Sequence, residues 1–142
     1  MNDYTFADIL VGQTASFART ITQEMEDSFR EITGDENPLH KDDNFAKETG
    51  KGKFERHVAF GMLTASLYST MAGMYLPGKY SLIHSFDEIS FPKPVFAGDI
   101  LTVTGEVVEK TEGLNLLMLK VVIRNQNNKI VSKAKMKVLV TR

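Results

Sequence analysis

An aspartate and a histidine five positions apart, Asp35 and His40, stand in the run Thr33-Gly34-Asp35-Glu36-Asn37-Pro38-Leu39-His40. A carboxylate and an imidazole in one pocket can move protons near neutral pH and activate a water. Each such group contributes ~10²–10⁴-fold to a rate. On an uninterrupted helix the two side chains would diverge by about 140°. Pro38 alters that, because it disfavours helical geometry at Asn37. Asn37 as a cap with Pro38 at the first helical position turns the chain there, and Gly34 releases the helix before it. Taken singly, Asp35 is a turn cap and His40 a surface histidine. The glycine, asparagine and proline around them all position the two groups, which favours the chemical reading.

The elements that must hold this segment follow from periodicity. Residues 20–34 (TITQEMEDSFREITG) predict a helix, with Thr20 and Gln23 in capping-box spacing, an apolar stripe of Met25, Phe29 and Ile32, and Gly34 as the stop. Residues 42–50 predict a short helix or turn, and the glycine- and lysine-rich residues 50–58 a loop. A second strong helix, Gly61–Tyr75, is large and apolar or small on nearly every face, so it must be covered nearly everywhere; Pro77-Gly78 ends it. Four strands are predicted in the second half, at 81–91, 99–110, 114–125 and 129–140. In the last, Lys133, Lys135 and Lys137 alternate with Ala134, Met136 and Val138, the period of a strand wet on one side. Residues 111–113 and 125–128 read as hairpin turns. The economical architecture is α+β, a curved antiparallel sheet wrapped around the Gly61–Tyr75 helix.

Composition bounds the rest. The chain has 142 residues, 42% apolar and 25% charged, the balance of one globular domain spanning 1–142. Seventeen basic against 18 acidic residues leave a net charge of −1, so neither a nucleic-acid partner nor an anionic membrane is expected. The absence of cysteine excludes disulfides and thiolate chemistry. Residues 57–78 carry no Asp, Glu, Lys or Arg, but serines, threonines and glycines dilute the run, which predicts a buried helix rather than a membrane span. The first ten residues lack a secretory pattern, so a cytoplasmic location is expected.

Phe29 to Ala46 (FREITGDENPLHKDDNFA) resembles the hydratase motif of MaoC-like dehydratases and (R)-specific enoyl-CoA hydratases. The FGMLTASLYS and FPKPVFAGDILTV segments are similar to that family's central-helix opening and the lead into its second strand. The resemblance implies a single hot-dog fold, commonly a homodimer. It also implies reversible syn hydration of a trans-2-enoyl thioester to an (R)-3-hydroxyacyl thioester, a hydro-lyase activity of fatty acid metabolism. Asp35 and His40 are then the catalytic pair, and the Gly61 backbone N–H meets the thioester carbonyl. Ser66 and Asn37 stand with Gly61 on the substrate-binding side. No metal and no cofactor are expected beyond the coenzyme A, or carrier-protein phosphopantetheine, of the acyl thioester substrate. Phe60 departs from the histidine the family often has there, which makes the pocket entrance more apolar.

His57 reads as solvated, and His84 as a hydrogen-bonded core or surface residue; the three histidines lack metal-ligand spacing. Lys51, Lys53 and Arg56 are candidates for the phosphates of coenzyme A, although lysine-rich loops are commonly plain surface. Three alternatives remain open. One is a carrier-protein 3-hydroxyacyl dehydratase. Another is a thioesterase, which the absence of any carboxylate on the Gly61–Tyr75 helix disfavours. The last is a non-catalytic acyl-thioester binder, for which both Asp35 and His40 are superfluous.

Overall fold

The computed structural model describes residues 1–142. Five strands form one antiparallel sheet in the order β1-β3-β4-β5-β2, with β1 Thr14–Thr20, β2 Ser81–Ser90, β3 Ile100–Thr111, β4 Leu116–Arg124 and β5 Ile130–Val140. Helices α1 (Gln23–Thr33), α2 (Asp43–Thr49) and α3 (Gly61–Thr70) fall between β1 and β2, and α3 continues as a π-helical turn over Met71–Tyr75. This is the hot-dog arrangement that the α+β reading anticipates. No helix is long and apolar enough to cross a membrane.

Alternation makes the sheet one-sided. Val103, Val107, Leu119, Val121, Met136 and Val138 are fully buried against Leu67, Tyr68 and Met71 of the helix. Lys133 and Lys135 stand exposed on the other face of β5. Gly105 lets the helix approach β3: a Cβ there would lie 2.8 Å from the Met71 sulfur. The fully buried Tyr68 also ties helix to sheet. Ser132 Oγ donates to the Ser90 carbonyl (2.9 Å), so the Tyr68 hydroxyl donates to Ser132 Oγ (2.5 Å). Burial pushes the Tyr68 phenol up to about 12, with the Ser132 contact opposing, and the ring stays neutral.

Three expectations need correction. The α1 cap is Thr22, whose hydroxyl accepts from Met25 N, because Thr20 is the last residue of β1. Ile32 does not join the core; it is 81% exposed, while Met25 and Phe29 are half-buried. Finally, α3 is not covered all round. Met62, Ser66, Ser69 and Met74 lie exposed on one side. A single five-stranded sheet covers only the arc of the helix that faces it.

Candidate active site

Local rules shape the turn that carries His40. The Gly34 cap of α1 takes the left-handed conformation (φ 70°), and its N–H donates to the Arg30 carbonyl. Asp35 Oδ1 accepts from Asn37 N at 3.0 Å, and Asn37 Oδ1 accepts from Leu39 N at 3.0 Å. Asn37 thus caps a 3₁₀ turn, Pro38–His40, with Pro38 at its first position. Two successive side-chain turns rotate the chain between the acid and the imidazole.

His40 is held from several directions. Its Nδ1 lies 2.8 Å from the Val58 carbonyl oxygen. A carbonyl only accepts, so Nδ1 carries the proton and Nε2 of the neutral ring is the basic nitrogen. The ring packs on Phe60 with centroids 4.2 Å apart, and Phe60 in turn meets Phe29 at 5.2 Å. Phe60 is 2% exposed and belongs to the core, so it backs the His40 ring rather than forming an entrance to the site.

His40 and Gly61 line one cavity of about 320 Å³, together with Val58, Thr64, Phe91 and Lys93. Gly61 opens α3, and Phe60 before it offers no side-chain cap. The first N–H groups of a helix have no acceptor inside the helix and carry its positive dipole end. A methyl added at Gly61 would lie 3.7 Å from the Phe91 ring, so alanine fits the fold but enters the cavity wall.

The other named residues sit elsewhere. Asp35 is exposed on its turn and is not among the residues lining the His40 cavity. Asn37 is exposed and its side-chain oxygen is committed to the cap. Ser66 Oγ donates to the Leu63 carbonyl (2.6 Å) and lines a separate groove of about 980 Å³ with Met25, Phe29, Ile32 and Leu63. Lys51, Lys53 and Arg56 are exposed, and Arg56 lies over Phe96. His84 is exposed, with Nδ1 3.0 Å from Ser85 Oγ.

Two features escape a reading of the sequence. Thr64 is buried in the cavity wall and its hydroxyl has no hydrogen-bond partner. Its position three residues after Gly61, hence on the same helix face, was the available signal. Glu26 is fully buried and neither carboxylate oxygen is hydrogen-bonded. Next to it His57 is not solvated as expected; its side chain is 18% exposed and contacts Asp43, Gln23 and Glu26.

Burial pushes the Glu26 carboxyl above its ordinary 4.5, with His57 and then Arg30 offsetting part of the rise. The folded chain therefore holds this proton more tightly than the unfolded chain. The contribution of Glu26 to stability is complete below pH 4.5 and is lost as pH rises through the folded value. Urea midpoints measured from pH 4.5 upward should decline less steeply for Glu26→Gln than for wild type. Parallel declines would contradict this assignment.

The family profile described as "MaoC like domain" matches residues 8–129. A curated (R)-specific enoyl-CoA hydratase of Aeromonas caviae is 41% identical over 102 residues, 72% of this chain and 73% of the relative. A 3-hydroxybutyryl-CoA dehydratase of Methylorubrum extorquens is 38% identical over 104 residues, covering 73% and 64% respectively. Among solved structures, the unliganded R-hydratase PhaJ1 of Pseudomonas aeruginosa superposes with a TM-score of 0.85 at 29% identity, covering 96% of this chain and 84% of that one.

Proposed function

The chain belongs to the MaoC-like dehydratase family, and on that premise we propose that it is a hydro-lyase that adds water reversibly to a trans-2-enoyl-CoA and gives the (R)-3-hydroxyacyl-CoA. The observation that carries this reading is the shared cavity of His40 and the uncapped start of α3 at Gly61. Hydration needs a base for water beside C3 and a donor for the charge that gathers on the thioester oxygen. His40 Nε2, left free by the Val58 contact, is the base. Asp35 lies on the same loop, exposed and outside that cavity in the single chain, and is assigned as the second group that holds the water. The Gly61 N–H receives the developing oxyanion, a donor worth about 3 kcal/mol when preorganised. The hydroxyl bonds to C3, and the proton taken from water returns to C2 on the same face. Atoms balance and no electron is transferred, so no redox cofactor is called for.

Gly61→Ala tests the donor. The methyl has room against Phe91 in the folded chain, so the thermal midpoint should stay within a few degrees of wild type. The thioester is pushed off the amide, and kcat for crotonyl-CoA should fall by ~10²-fold, the cost of about 1 Å of misplacement. An unchanged kcat would remove Gly61 from the oxyanion role.

The same enzyme is proposed to act as a homodimer. Strand β2 bonds only to β5 and ends the sheet with Leu82, Phe86 and Ile89 exposed, and Met62 and Met74 of the helix are uncovered as well. Light scattering after size exclusion should give twice the chain mass, and a monomer at micromolar concentration would refute the assembly. Activity on carrier-protein thioesters with none on CoA thioesters would move the substrate assignment to the carrier-protein class. Binding of both without turnover would favour a non-catalytic binder.

A further inference from the structure

Glu26 has no part in the chemistry above, yet it is fully buried with both oxygens unpartnered. A buried carboxyl without hydrogen bonds costs stability, and an apolar side chain is commonly the more stable occupant of such a place. What surrounds it explains its presence. His57 Nε2 lies 3.9 Å from Glu26 Oε2. Arg30, one turn along α1, is also largely buried, with its Nε unpartnered. Each of these two side chains is tied to the backbone that holds His40.

Arg30 Nη2 donates to the carbonyl of His40 itself at 3.3 Å. Its guanidinium also lies 6.0 Å from the centroid of Phe60, the ring on which His40 packs. His57 acts through the chain. It immediately precedes Val58, whose carbonyl fixes the His40 ring. The backbone N–H of His57 donates to Asp43 Oδ1 at 2.9 Å, and its Nδ1 lies 2.6 Å from the same oxygen. Its Nε2 lies 3.0 Å from Gln23 Oε1. The Gln23 amide nitrogen is committed to Asp27 Oδ1, so the oxygen must face His57. Both ring nitrogens then face acceptors, and the ring bridges α2 to α1 as a double donor. Asp27, paired with Arg30, and Arg56 complete the charged groups around Glu26.

We infer that His57 and Arg30, which flank the buried carboxyl of Glu26, are positioning residues that aim the His40 ring into the cavity. Arg30 holds the carbonyl of His40, and His57 holds the peptide to which the His40 ring is bonded. This inference rests on His40 being the base of the hydration reaction. It adds that α1, through Arg30, and the segment before α3, through His57, together aim the ring that the loop after α1 bears.

The test uses the full-length protein and three variants, His57→Ala, His57→Gln and Glu26→Leu. Crotonyl-CoA kinetics, urea midpoints and the ring-nitrogen NMR signals of His40 are measured on each. His57→Ala should lower kcat by about 10- to 100-fold with KM within about twofold, and the Nδ1-protonated signal of His40 should broaden or shift. His57→Gln, which still donates to Asp43, should recover part of both. Glu26→Leu should raise the urea midpoint while kcat falls, a divergence that a structural role alone does not produce. It also decides the matter should His57→Ala not fold. Wild-type kcat in a folded His57→Ala, or a His40 signal unmoved in every variant, would overturn the inference. If wild type itself does not hydrate the thioester, the hydratase reading fails, and the His40 signal alone then decides the positioning role.

Discussion

Replacing His40 by alanine will lower kcat for crotonyl-CoA hydration by ~10²–10⁴-fold, the usual contribution of a positioned acid–base group. The ring is the one titratable imidazole in the cavity that also holds Gly61. Its Nδ1 is committed to the Val58 carbonyl, so Nε2 is the nitrogen left to meet water. Loss of that hydrogen bond will cost about 1 kcal/mol of stability, and the loss of packing on Phe60 adds to it. Neither is enough to unfold a domain with a core this extensive. The comparison to make is kcat per folded molecule, with the folded fraction read from circular dichroism. A His40→Ala enzyme that turns over at the wild-type rate would displace the base from this site.

Asp35→Asn is the second large effect, expected at ~10²–10⁴-fold in kcat with the fold intact. The substitution keeps the shape of the side chain and an oxygen able to accept from Asn37 N, so the turn that aims His40 should survive. What it removes is the negative charge and the ability to take a proton. A turnover defect in Asp35→Asn with an unmoved urea midpoint would therefore separate chemistry from turn-making. The exposure of Asp35 on the single chain makes this the sharper of the two tests. A wild-type rate would reduce Asp35 to the turn residue its hydrogen bonds already describe, and leave His40 to act alone.

Much of the fold was legible because period and punctuation agree. Strands β2 to β5 lie within one or two residues of their expected spans, since alternation and turn residues mark both ends. The Asn37 cap, the Pro38 start and the Gly34 stop came from local rules that need no tertiary context. Strand β1 was not anticipated. Its sequence, Thr14-Ala15-Ser16-Phe17-Ala18-Arg19-Thr20, has one large apolar residue and sits at the sheet edge, where pairing with β3 rather than side-chain pattern defines it.

The site divides the same way. The turn that carries His40 was visible, and so was the start of the central helix at Gly61. The Val58 carbonyl was not, because a backbone acceptor has no residue type to betray it. Glu26 and His57 were hidden for another reason. They lie 31 residues apart in sequence and meet only through packing of α1 against the segment before α3. The exposed side of α3 was misjudged because composition shows that a helix face is apolar, not which molecule will cover it.

One measurement reaches the centre of the account. Purified protein is given crotonyl-CoA, the loss of enoyl absorbance is followed, and the configuration of the 3-hydroxybutyryl-CoA formed is read with a stereospecific dehydrogenase. The expected result is rapid hydration to the (R) product, abolished together by His40→Ala and Asp35→Asn. An (S) product, or no hydration across a panel of CoA and carrier-protein enoyl thioesters, would contradict it.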